Sequence, residues 1–196
     1  MKLGIIGLPQ TGKTTLYNAL TGHDQPTTAS AGRMEVHTAV VDVPDPRVDT
    51  LSAMYNPEKT MYAKVTYADI AGLEGSGQGS ISGQLLNHIA QMDGLIHVVR
   101  CFEDESVAHV SGSVNPSRDI VAMNSELLLN DLIAVERKLE RLAEEKDRGG
   151  TDKKINARQT ELFEKLLAIL SEDKPLRGVE FTELEKKAFL KKEELN

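Results

Sequence analysis

The sequence predicts an α/β fold, a P-loop sheet flanked by helices, with an antiparallel coiled-coil hairpin of helices inserted after the strands. Three observations carry this. The apolar Leu3, Ile5 and Ile6 lead into Gly7-Leu8-Pro9-Gln10-Thr11-Gly12-Lys13-Thr14-Thr15, and Leu16, Tyr17, Ala19 and Leu20 follow with helical spacing. Strand, glycine loop and helix in that order are the setting a phosphate-binding loop requires. A second strand-like run ends in Asp69-Ile70-Ala71-Gly72, and farther on leucines recur at heptad spacing.

Taken in order, each element has a chemical reason. Gly7 and Gly12 let the backbone turn, so that the N–H groups from Gln10 and Thr11 through Gly12 to Thr15 face one centre and hold phosphate oxygens. The helix opening near Lys13 adds the positive end of its dipole. Lys13 is expected at the β- and γ-phosphates, stabilising charge during transfer, and the Thr14 hydroxyl on Mg²⁺. The polar segment from His23 to Gly32, with Thr27, Thr28 and Ser30, occupies the place of a first switch. A strand is predicted over 35–43 and a helix from Pro46 to Tyr55, with Asp45 as its cap.

Residues 61–69 alternate as a strand does. An acidic side chain at its end, Asp69, can hold Mg²⁺ opposite Thr14. Gly72 can give its N–H to a γ-phosphate and act as the pivot of a sensing loop. Gly75, Gly77, Gly79 and Gly83 follow, a stretch costly to order and suited to a loop that responds to nucleotide. A helix is predicted at about 82–91. Cys101 ends the apolar run Leu95 to Cys101 and is expected to be a buried structural thiol.

Composition sets the outer bounds. The 196 residues are 40% hydrophobic and 4% aromatic, enough for one core packed by aliphatic side chains. A net charge of −7 argues against wholesale nucleic-acid binding and against a DNA partner. One cysteine allows no internal disulfide and suits a reducing compartment. With neither a signal peptide nor a membrane-length apolar run, the expected location is the cytoplasm, without a membrane partner.

From Pro116, capped by Asn115, to about Lys146 the chain reads as one helix whose seam is Leu128, Leu132, Val135, Leu139 and Leu142. A second helix from about Lys153 to Leu170 presents Ile155, Leu162, Leu166 and Ile169, and the glycines between them make a hairpin. Lys146, Arg148, Lys153, Lys154 and Arg158 cluster near its tip, either a solvated turn or a contact for rRNA on the ribosome. Thr182-Glu183-Leu184-Glu185 fits a capping box for a last helix. The division expected is a nucleotide-binding domain over 1–115 and a helical insertion over 116–196.

With these residues in view, the chain resembles the YchF branch of the Obg-like GTPases. The likeness rests on the P-loop, Val43-Pro44-Asp45-Pro46-Arg47-Val48-Asp49, Asp69-Ile70-Ala71-Gly72-Leu73, His97-Val98-Val99-Arg100-Cys101-Phe102-Glu103-Asp104 and His109-Val110-Ser111-Gly112. It implies slow Mg²⁺-dependent hydrolysis of nucleoside triphosphate, commonly ATP over GTP, and association with ribosomes and translation. Leu73 stands where Ras-like proteins orient water with glutamine. The resemblance assigns that work to a histidine mapping to His109, whose plain alternative is a structural role.

Departures from the pattern accompany the likeness. Gln10-Thr11 replaces Asn-Val, Arg33 stands at the first-switch threonine, and Glu74-Gly75-Ser76-Gly77 replaces Val-Lys-Gly-Ala. The 196 residues contain neither the base-reading motif nor the family's last strands and C-terminal TGS domain, so either a fragment or a truncated gene product is expected. Two functions follow as expectations: a nucleotide-driven, ribosome-associated switch, or a catalytically weak module that docks on the ribosome or a protein through its hairpin.

Overall fold

The computed structural model describes residues 1–27, 36–70, 83–148 and 153–190. Along them run β1 (Lys2–Ile6), α1 (Lys13–Thr21), β2 (Val36–Asp42), α2 (Pro46–Tyr55), β3 (Lys64–Ile70), α3 (Gly83–Ala90) and β4 (Gly94–His97). Then come α4 (Pro116–Arg148), α5 (Lys153–Ser171) and α6 (Glu183–Leu190). The strands form one mixed sheet in the order β2-β3-β1-β4.

β1 is parallel to both neighbours, with Ile5 opposite Asp69 on one side and Ile96 on the other. β2 lies antiparallel at the edge, His37 opposite Asp69. This register brings the carboxyl ends of β1, β3 and β4 together, the edge where open α/β sheets take ligands. On one face, Ile5, Tyr17 and Ala39 form a buried cluster, with Leu16, Leu20, Tyr67, Ile96 and Val98 packed on it. Burial of each large apolar side chain contributes about 1.5–3 kcal/mol, which fixes α1 to the sheet and therefore fixes where the loop before it sits.

Local signals read from the sequence hold at several ends. The Asp45 carboxylate accepts from Arg47 N–H at 2.9 Å. Asn115 accepts from Arg118 N–H at 3.1 Å, and Pro116 opens α4 behind it. β3 begins at Lys64 rather than Met61, although the Val43 N–H still reaches the Ala63 carbonyl at 2.8 Å.

The buried thiol is a correction, for Cys101 is exposed. β4 ends at His97, and the Val98 N–H makes one further bond to Ile6 at 2.8 Å. Beyond it the inward side chain is Arg100, 2% exposed, whose guanidinium gathers the carbonyls of Phe102, Asp104 and Val107. A long polar side chain with five donors has taken the interior place, and its neighbour faces out.

The chain divides into two compact units, Met1–Met123 and Asn124–Asn196, and the division falls inside α4. In the second unit Val135 of α4 packs with Leu166 and Leu170 of α5, and Leu128, Leu132 and Leu139 close around them. Lys138 lies over the Phe163 ring at 6.0 Å, and Asn156 Nδ2 donates to the Leu142 carbonyl at 2.9 Å. Partners that advance along α4 retreat along α5, so the two helices are antiparallel. The α5 stripe is shifted from the one expected: Asn156 and Leu170 are buried where Ile155 and Ile169 were anticipated. The capping box forms, Glu185 accepting from Thr182 N–H at 2.7 Å, and Glu185 also reaches Lys165 of α5 at 2.7 Å.

Candidate functional site

The loop between β1 and α1 turns through three residues with positive φ: Gly7 at 154°, Gln10 at 59° and Gly12 at 94°. Gly7 has a second constraint. A Cβ there would stand 2.3 Å from the Val98 carbonyl oxygen, which no rotamer change can move. Gln10 carries a left-handed backbone without being glycine, a strain that the sequence alone did not signal. Thr11 is buried and its hydroxyl donates to the Leu8 carbonyl at 3.0 Å, closing the loop on itself. Gly12 caps α1 with no side-chain bond to the first-turn N–H groups. Those groups, with the dipole behind them, make an anion-binding end.

Lys13 is 8% exposed and its ammonium donates to the Leu8 carbonyl at 2.8 Å, so it lies folded over the loop. Thr15 is exposed on the helix's first turn. Thr14 reaches across to β3, its hydroxyl donating to Asp69 Oδ2 at 2.7 Å. Asp69 is 1% exposed, and among the described residues its Oδ1 is buried with no hydrogen-bond partner. A buried carboxylate oxygen left unpaired is costly unless it meets a cation. Thr14 and Asp69 form an all-oxygen donor pair, which suits a hard cation such as Mg²⁺, whose remaining ligands are usually phosphate oxygens and water. The residues therefore fit the ion.

The surroundings carry the electrostatics of that pair. Burial, and after it the charge of Asp69, raises the Tyr17 hydroxyl above its ordinary value. Burial, and after it the charge of Lys13, holds the His97 imidazole below its ordinary value and keeps it neutral near pH 7. His97 was read only as part of a motif. Its place at the carboxyl end of β4, beside the loop, is the signal that would have singled it out.

The ring bonds of His109 run to Asp119 Oδ2 at 3.0 Å and, at Nδ1, to the Ser111 N–H at 3.0 Å. Asp119 was not singled out from the sequence. Gly72, Leu73 and the glycine-rich segment to 82 lie outside the described residues, as do Thr28, Ser30 and Arg33 to Glu35.

A glycine-turned loop at the end of a central parallel strand, a lysine folded over it and a threonine–aspartate pair facing it define a P-loop nucleoside-triphosphatase domain. A family model described as a 50S ribosome-binding GTPase matches residues 2–138. The chain belongs to this family, and within it is of the YchF type of Obg-like P-loop GTPases. It is 38% identical over 193 residues to the ribosome-binding ATPase YchF of Bacillus subtilis (strain 168), covering 94% of this chain and 50% of that one. The protein of that name from Escherichia coli O157:H7 is 40% identical over 190 residues, covering 95% and 52%. The solved YchF GTPase of Schizosaccharomyces pombe superposes with a TM-score of 0.74 at 32% identity, over 96% of this chain and 52% of that one. The chain thus spans about half the length of the curated relatives it matches.

Proposed function

We propose that the chain binds a nucleoside triphosphate, ATP or GTP, with Mg²⁺ and hydrolyses it slowly as a ribosome-associated switch. The observation that carries this reading is the Thr14–Asp69 bond of 2.7 Å beside an Asp69 Oδ1 that is buried with no partner among the described residues. The loop amides from Gln10 to Thr15 hold the phosphates, and Lys13 leaves the Leu8 carbonyl to meet the β- and γ-phosphates. Thr14 and Asp69 hold the metal, which when bound draws off charge from the transferred phosphoryl group. Gly72 donates to the γ-phosphate and His109 orients the attacking water. Because Leu73 has no polar group to share in that work, turnover without a partner is slow.

The ribosome enters through the relatives, whose names give them as ribosome-binding. In this chain the exposed Lys146, Lys153, Lys154 and Arg158 offer a basic tip on an otherwise acidic molecule. A contact between such a tip and RNA weakens steeply with salt.

The first test is Mg²⁺-dependent binding of fluorescent ATP and GTP analogues, with Lys13→Ala as control. Binding abolished by the substitution and by chelation is the expected result. Equal binding with and without Mg²⁺ would overturn the metal assignment. For the partner, co-sedimentation with ribosomes should fall with added salt and with Lys153→Glu/Arg158→Glu. Co-sedimentation that ignores nucleotide and Lys13→Ala would instead favour the hairpin as a docking module with no switch.

A further inference from the structure

His109 and Asp119 form a pair whose geometry goes beyond naming the histidine. The His109 side chain is 6% exposed and that of Asp119 3%. Nδ1 accepts the Ser111 N–H, so the ring proton sits on Nε2 and is donated to Asp119 Oδ2. Asp119 is itself braced, since Oδ1 accepts from Arg118 Nε at 2.9 Å. The same guanidinium reaches the Ser113 carbonyl at 2.7 Å and the Ser113 hydroxyl at 3.2 Å. The first turn of α4 therefore grips the ring from one side and the loop that carries it from the other.

Both ring nitrogens are engaged, and a ring that is to orient water must release one of them. The two bonds are unequal. Asp119 offers a buried negative charge with its other oxygen held, and charge-assisted bonds are the strong ones. Ser111 offers a neutral backbone N–H in an exposed turn, and Gly112 beside it, at φ 74°, closes that turn through a 2.9 Å bond to the His109 carbonyl. His109 and Gly112 also border an open cleft of about 580 Å³, space into which this turn can move. The bond to Ser111 is therefore the weaker of the two.

We infer that Asp119 is a positioning residue for His109: it fixes the Nε2–H tautomer, so that Nδ1 is the nitrogen presented to water when the Ser111–Gly112 turn opens. The inference rests on His109 serving in hydrolysis, and the experiment separates the two. Turnover and KM are measured for the protein and for His109→Ala, Asp119→Ala and Asp119→Asn, and the ring nitrogens of His109 are followed by ¹⁵N NMR. A bare Nδ1 and a protonated Nε2 are expected in the unaltered protein. In Asp119→Asn the amide cannot accept from both His109 and Arg118, so the tautomers should mix.

Asp119→Ala should lower kcat roughly tenfold with little change in KM, and should add nothing to His109→Ala. Loss of turnover in His109→Ala with full turnover in Asp119→Ala would overturn this inference alone. Full turnover in both would overturn the role of His109 and the inference with it. A protonated Nδ1 in the unaltered protein would overturn the tautomer assignment whatever the rates.

Discussion

At the scale of single residues, two glycines of one loop are under different constraints, and their alanine variants should separate them. At Gly7 an added methyl meets a backbone oxygen at 2.3 Å, whereas at Gly12 it meets nothing within 4 Å and only the φ of 94° opposes it. Gly7→Ala should cost roughly 2–4 kcal/mol, combining backbone strain with overpacking. Gly12→Ala should cost about 1–2 kcal/mol. Urea denaturation of both variants checks this, and equal losses would mean that the contact with Val98 yields. Asp69 gives a sharper case, because stability and function should move in opposite directions. Asp69→Asn keeps an acceptor for Thr14 and removes a buried charge whose second oxygen has no partner among the described residues. The nucleotide-free protein should gain about 1 kcal/mol while affinity for Mg²⁺-nucleotide falls at least tenfold. A loss of both would point to a structural role for the carboxylate. That Gly7, Lys13, Thr14 and Asp69 gather at one loop and one strand end was legible from the spacing of residue types, whereas the roles given to them are proposals. The positive φ of Gln10, the neighbourhood of His97 and the grip of Asp119 on His109 were not legible, since each depends on a partner brought close only by the fold.

At the scale of elements, periodicity proved most informative where the residues were all apolar. The α4 seam is the predicted one, while α5 buries Asn156 in a place that a search for leucines passes over. Asn156 donates to a carbonyl of α4, a bond that one register of the two helices satisfies, and a part in fixing that register is the expectation to test. Asn156→Leu should leave the thermal midpoint unchanged or raise it, because apolar packing replaces a buried amide while the Leu142 carbonyl, inside α4, keeps its helical N–H donor. Limited proteolysis of the hairpin should then show looser definition, and unchanged cleavage would assign the residue no part in register. The last helix carries a pH signature. Bonds from Lys165 and from Thr182 lower the Glu185 carboxyl from 4.5 to about 2. A carboxyl depressed in the folded state contributes stability above about pH 4.5 that is lost as pH falls toward 2. Glu185→Gln should therefore weaken the docking of α6 on α5 at neutral pH and make no difference near pH 2. Circular dichroism across that range decides it, and a constant difference between the two proteins would overturn the assignment. The Cys101 expectation failed for an element-level reason, since the strand stops at His97 and an apolar run alone does not say where pairing ends.

At the scale of the whole molecule, the sequence expects a nucleotide-binding domain over 1–115 and a helical insertion over 116–196, and the compact units of the structure are Met1–Met123 and Asn124–Asn196. The difference has a physical cause. The first turn of α4 is held by the loop before it, through Asn115 and through Asp119 with His109, while its later leucines are held by α5. A cap in the sequence marks where a helix begins, not which core its turns join. The candidate nucleotide site draws every one of its described residues, from Gly7 to Asp69 and His97, from the first unit. Ligand binding stabilises what it touches, by about 2.7 kcal/mol at a hundred times Kd. Saturating Mg²⁺-nucleotide should accordingly slow hydrogen exchange over the described parts of residues 1–123 and leave the seam of α4 and α5 close to its nucleotide-free rates. Lys13→Ala should remove the protection without altering exchange in the hairpin. Protection that spreads to Leu142 or Asn156, and vanishes in Lys13→Ala, would instead mean that nucleotide occupancy reaches the hairpin through α4. That outcome would make the shared helix the transmitting part of the switch.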